Sequence, residues 1–292
     1  MKKFSKKIIS AFVAATMFGG LNCTPCIVSA ANIIININET QNAGSIDWHD
    51  GFIVAYGVGR ADERGAAMSR EAAIMAAQRN LVGILKGMSI DSDTTMRDLI
   101  IESDVVNRKI TGVLRGAEII DEGQNSDGSY YVQMRVPMWG VGESIASSIV
   151  PELTEKIPQP FSRVTETSIY GETFNSFTYT GVVIDASGLG LEPTFSPVIY
   201  DTNGRAVYGI KNLRPDAVIS RGMVDYSDSL KEATAGGRAG NNPLVIKAES
   251  VGGGKNSVNS VNVIVSVEDA DKILLANEKS HMLDNCAVIF VK

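Results

Sequence analysis

The chain is poor in the residues that most often carry chemistry. It has two histidines, His49 and His281, and three cysteines, Cys23, Cys26 and Cys286. A zinc site needs several His or Cys ligands at short spacing, and no such cluster exists. There is no Gly-x-Ser-x-Gly elbow to go with His281 and Asp284, which argues against a serine hydrolase. No Asp-x-Asp-x-Asp-Gly loop is present, so Asp185, Glu192 and Asp201 read as solvated loop ends and not as calcium ligands. Beyond residues 8–21 there is no long apolar run, and even that stretch falls short of the ~20 residues a membrane span needs. No internal repeat occurs at a fixed period. With 44% hydrophobic and 21% charged residues, the 292-residue chain is globular and long enough for two ordinary domains. A core of that size needs neither disulfide nor metal.

The N-terminus reads as an export signal. Lys2, Lys3, Lys6 and Lys7 precede the short apolar stretch, and Val28-Ser29-Ala30 fits a small-residue cleavage site. Cleavage after Ala30 removes four lysines and takes the net charge from −6 to −10, which excludes nucleic acid and anionic lipid surfaces as natural partners. It also leaves Cys286 alone, so no intramolecular disulfide can form. Lipid attachment at Cys23 is disfavoured, because Gly20 and Asn22 stand where lipidation prefers an aliphatic and a small residue. Cys286 itself opens an apolar run and reads as a buried small hydrophobe.

The mature chain is organised around one helix, predicted over residues 65–86. Ala66, Ala73, Ala77, Leu81 and Ile84 share a face, with Glu71, Gln78, Arg79 and Lys86 largely opposite. The strand-like residues 52–56 precede it and meet Gly57-x-Gly59. That pair invites a phosphate-binding reading, but a dinucleotide fingerprint needs a third glycine where Asp62 stands, and a carboxylate there would repel a pyrophosphate. Tight-turn packing is the simpler account. Gly252-Gly253-Gly254-Lys255-Asn256-Ser257 likewise lacks the first glycine of a phosphate loop, where Glu249 stands, and has Asn256 after the lysine. It reads as a flexible connection.

The remaining pattern predicts an early strand or ordered arm at residues 33–38 and a turn at Trp48-His49-Asp50-Gly51. A second helix follows over residues 96–107, capped from Asp93-Thr94-Thr95. Residues 109–122 and 130–137 are expected as an antiparallel hairpin around the turn residues Asn125-Ser126-Asp127-Gly128. A short helix over residues 142–150 is expected to end at Pro151. Pro151, Pro158 and Pro160 mark residues 151–176 as a linker. The second half predicts strands at 179–185, 197–200 and 205–208, the last two joined by the hairpin turn Asp201-Thr202-Asn203-Gly204. A short helix at 225–235, strands at 243–251 and 257–267, a helix from Ser266 to about residue 279 and a last strand at 286–291 complete it. The fold class is α+β: a helix-on-antiparallel-sheet domain at residues 31–150, then a mixed α/β domain at residues 177–292.

As an ordered set, Gly57-x-Gly59-Arg60-Ala61, the Ala73/Ala77/Leu81 spacing, Gly112 and the strand Val132–Val136 resemble the twenty-kilodalton bacterial lipoprotein family and the related N-terminal domain of flagellar assembly protein T, over residues 51–137. The resemblance implies a small α+β domain in an exported envelope protein without catalysis, some relatives associating with the outer membrane or the flagellar base. The second half looks like the companion region found after this domain in some exported bacterial proteins. The expectation is therefore a non-enzymatic envelope protein whose partners are other envelope proteins, with no cofactor and no metal. A small-ligand or glycan-binding module using residues 188–197 and 252–257 is the competing expectation, and an exported hydrolase with a spatially assembled site a third.

Overall fold

The computed structural model describes residues 44–63, 65–154, 157–164, 179–253 and 259–292. The export signal, Cys23 and the early strand at residues 33–38 lie outside them. Among the described residues, no helix is long and apolar enough to cross a membrane.

The first layer is an antiparallel sheet in the order β1-β2-β4-β3, built from β1 (Gly44–Asp47), β2 (Phe52–Gly59), β3 (Glu118–Gln124) and β4 (Tyr130–Pro137). Along β4, Val132, Met134 and Val136 point inward. Helix α1 (Ala66–Gly87) covers that face with Ser69, Ala73, Ala77, Leu81 and Ile84, while Ala66, expected on the same face, is exposed. Gly57 and Gly59 do not form a turn, as expected from the sequence. They lie inside β2, and their backbone is extended. A Cβ on Gly57 would run into the carbonyl of Ala73 and sit 2.9 Å from Ala77 Cα, and one on Gly59 would meet the carbonyl of Ser69 and lie 2.8 Å from Ala73 N. Glycine is needed there for closeness of helix to strand, with alanines completing the contact from the other side. Arg70 pairs with Glu122 at 2.7 Å, tying α1 to the outer strand.

Between α1 and β3 the chain departs from expectation. Residues 96–107 split into α2 (Met96–Glu102) and α3 (Asp104–Arg115) at Ser103, whose extended backbone ends one helix and whose hydroxyl accepts from Val106 N at 3.3 Å to start the next. The predicted strand at residues 109–122 is therefore largely helix. Val106, Ile110 and Val113 are buried at the three- and four-residue spacing of a helix face, and Gly116 supplies the stop, leaving β3 to begin at Glu118. Helix α4 (Ile145–Leu153) runs through Pro151 and does not stop at it. The missing N–H falls in the last turn, so only one hydrogen bond is forfeited there.

Eight further strands and helices α5 to α7 form the described part of the second half. β5 (Gly181–Asp185) lies in a four-stranded all-parallel sheet in the order β8-β12-β5-β9, and both its faces are buried. β6 (Ile199–Asp201) and β7 (Ala206–Tyr208) form the expected hairpin, in a mixed sheet ordered β10-β11-β6-β7. α5 (Pro215–Arg221) has proline at its first turn, a start signal passed over in the sequence. The helix expected at 225–235 is instead β8 (Asp225–Ser227), an edge strand recruited by the last strand, followed by the single turn α6 (Leu230–Ala233). Residues 243–251 are two strands, β9 (Pro243–Lys247) and β10 (Ser250–Gly252), because the chain changes sheets at Ala248, whose N–H bonds Asp185 O, and Glu249, whose N–H bonds Ile264 O. β11 (Asn262–Val265) is shorter than expected, and Val267 already belongs to α7 (Val267–Ser280), capped by Ser266 through Asp269 N at 3.0 Å. β12 (Val288–Val291) ends the chain's core.

One hydrophobic cluster runs continuously from Ile53 and α1 to Phe290, and a smaller one of Val183, Ala233, Ala239, Ile289 and Val291 covers the other face of the parallel sheet. A seam joins the helix-on-sheet layer to the second half. Phe195 N and Ser196 N donate to Ser89 O and Ile90 O at 3.1 and 2.8 Å, and the Thr194 and Ser196 hydroxyls bond the same two residues. Of the proposed linker, residues 157–164 lie along the second half, with Gln159 N on Lys211 O and Ser162 Oγ on Ala206 O.

Trp139 sits at the seam, its ring centroid 4.7 Å from that of Phe195 and its indole close to Gly51 and Gly222. Gly222 has φ of 74°, and a Cβ on it would lie 2.8 Å from Trp139 Cε2. Gly222→Ala combines left-handed strain with a clash against a ring that cannot fold away. A loss of roughly 1–3 kcal/mol is expected, read as a lower urea midpoint, with an unchanged midpoint counting against this account of the seam.

Candidate functional site

Each reactive side chain singled out in the sequence is placed by the fold in a structural setting. His49 is exposed in a turn organised by Asp47, whose carboxylate accepts from His49 N and Asp50 N, and its ring faces Asp225 at 3.6 Å. His281 is the left-handed cap of α7 and lies 3.5 Å from Asp284. Cys286 is fully buried before β12, and burial pushes its thiol up, away from the thiolate a nucleophile needs. Its neighbour Tyr208 donates to Met223 O at 2.7 Å. The Ser187 hydroxyl and amide hold the Asp185 carboxyl below the usual carboxylate range. Asp201 is buried in the β6–β7 turn, where it accepts from Asn203 N, Arg205 N and the Arg205 guanidinium. Glu192 is exposed, its N–H bonded to Ser260 O. Among the described residues no group of three or more His, Cys, Asp or Glu side chains could hold a metal ion. Of the 188–197 loop, Thr194, Phe195 and Ser196 are used in the seam, and residues 254–258 lie outside the described residues.

Among the described residues, a groove of about 310 Å³ lies between α1 and the α2–α3 pair. Its apolar lining comes from Val82, Leu85, Ile100, Ile110 and Leu114, with Gln78, Asn107 and Thr111 as neutral polar groups. Lys86 and Arg115 complete it, and no acidic residue takes part. Both cations belong to the last turns of their helices, where the helix dipole favours positive charge. Neither forms an ion pair with another described residue. Such a surface can seat an apolar segment and orient it by a carboxylate; it offers nothing to activate a bond. Sequence reasoning missed the groove because half of its wall is α3, which the sequence suggested as a strand from residue 109 onward. The Val106/Ile110/Val113 spacing was the signal that would have revealed it.

The geometry defines an α+β protein in which one helix is pressed onto an antiparallel sheet and a second, mixed α/β half continues the core. Comparison with known families gives each half a likeness. Residues 55–136, which hold the whole groove, match the LPP20 lipoprotein family, within the stretch 51–137 singled out from the sequence. Residues 181–292 match the second domain of Treponema pallidum Tp0624. No curated protein matches the chain.

Proposed function

We propose that this chain is a non-enzymatic exported protein of the cell envelope that works by binding other proteins, with assembly of the flagellar base or outer envelope as its setting. The observation that carries the reading is the α1–α3 groove, apolar and cationic, within the segment that matches a lipoprotein family. The structural settings of His49, His281 and Cys286 support it, as does the sequence of residues 1–30. Cys23 stays unmodified on this reading despite the lipoprotein likeness, because of the residues before it.

Two measurements test the proposal together. Protein recovered from fractionated cells is expected in the envelope fraction with an intact mass beginning at Ala31 and no acyl group; full-length protein in the cytosol would overturn it. Deletion of the gene is expected to impair motility or envelope integrity, and a strain unchanged in both would remove the assembly role.

A further inference from the structure

The sequence holds one Asn-Gly step, Asn203-Gly204, in the turn between β6 and β7. A glycine after asparagine has no side chain to shield its amide nitrogen, so this is the step at which an asparagine cyclises most readily. Thr202, Asn203 and Gly204 are exposed, and nothing lies within 4 Å of a Cβ built on Gly204, so no neighbour bars water from the tip. Hydrogen bonds restrain the step instead. Gly204 N, the atom that would attack, donates to Asp201 O at 2.8 Å. Asp201 Oδ1 accepts from Asn203 N and Arg205 N, both at 2.9 Å, which fixes the backbone on either side of that amide. Asp201 N donates to Arg205 O at 3.0 Å and closes the loop. The Arg205 guanidinium then anchors Asp201 to Asp271 on α7.

We propose that Asn203 is a site of spontaneous covalent modification, gated by opening of this turn. Once Gly204 N is released from Asp201 O, it gives up its proton to water or hydroxide and bonds to Asn203 Cγ. The bond from Cγ to the side-chain nitrogen breaks, and that nitrogen leaves as ammonia. The cyclic imide takes up a water molecule, which opens it to aspartate or to isoaspartate; nothing is oxidised or reduced. Either product places a new carboxylate beside Asp201, and isoaspartate also lengthens the main chain inside a tight hairpin loop. The closed geometry suits neither, so a turn that has reacted resists closing again and the conversion runs one way. The site thereby records how often the β6–β7 hairpin has opened. It draws on neither the groove nor the envelope role, and each can fail while the other stands.

The test incubates the purified full chain in mildly alkaline buffer, natively and in denaturing guanidinium chloride. Peptides spanning Asn203 are followed by mass spectrometry, with isoaspartate separated from aspartate by chromatography. Conversion in the unfolded chain is expected to be faster than in the native one by on the order of tenfold or more, since opening must precede reaction. Arg205→Met removes the anchor and is expected to convert faster than the wild type under native conditions. Should that variant fail to fold, wild type in denaturant below its unfolding midpoint takes its place, with the rate expected to climb before global unfolding. Asn203→Gln keeps an amide at the tip but needs a larger ring, and is expected to stay unconverted. Equal rates in native and unfolded chains, an unfolded chain left intact at Asn203, or a native rate indifferent to loosening of the turn would each overturn the inference.

Discussion

Gly57→Ala is expected to be among the most damaging single-methyl changes in this protein. The added carbon points at backbone of α1, the Ala73 carbonyl and the Ala77 amide and Cα, and no side chain can swing aside to make room. The 22-residue helix must lift from β2 or slide, and either motion opens the layer containing Ala73, Ala77 and Leu81. Overpacking of this kind costs typically 1–3 kcal/mol, occasionally more, and a contact against rigid backbone belongs at the upper end. A loss of about 3 kcal/mol corresponds to a fall in Tm of roughly 6–12 °C in a chain of this size. Gly112→Ala is the internal control. Gly112 lies in α3 with nothing within 4 Å of its would-be Cβ, so the same methyl is expected to stabilise by up to about 1 kcal/mol through helix propensity. Opposite signs at the two positions in thermal unfolding support the close-approach account; equal and small effects would remove it.

Arg205→Met is expected to have a comparable or larger effect by another route. The guanidinium donates to Asp201 Oδ2 and Asp271 Oδ1, both at 2.8 Å, and to Arg163 O, while both carboxylates are about 1% exposed. Burial alone would lower the arginine's pKa, but its hydrogen bonds and charge pairing with the two aspartates outweigh that and raise it. Removing the cation takes the arginine's charge and hydrogen bonds from two buried carboxylates, one in the β6–β7 turn and one on α7. Breaking a buried pair from one side costs about 3–5 kcal/mol. The loss is expected as a urea midpoint well below that of the wild type, and a midpoint close to the wild type's would mean that the arginine acts only by filling space.

The sequence is most readable where its own pattern decides the element. β4 and α1 carry unbroken period-two and period-3.6 patterns over eight and 22 residues, and both elements were placed within a residue. The β6–β7 hairpin and the start of α7 were legible because local side chains make them: Asp201 bonds its own turn, and Ser266 caps its own helix. Apart from α3, whose helical spacing is local, the differences fall where partners remote in sequence decide. Residues 225–227 become a strand only because β12 lies beside them, and residues 243–251 divide because two different sheets claim the two ends. The Gly57-x-Gly59 pair was noticed for the right residue type, but its partner, the carbonyl ridge of α1, is not written in the strand. The groove was hidden twice over, by the misread α3 and by its use of the flank of α1 next to the face that packs on the sheet.

The seam has one last consequence. The chain has two tryptophans, and both stand on it, Trp139 against Phe195 and Trp48 edge-on to Tyr226 at 5.8 Å. Intrinsic indole emission therefore samples a single locality, the joint between the family-matched segments, while leaving the distal strands dark. Any agent that pries those segments apart would announce itself by a red-shifted spectrum before the sheets themselves give way.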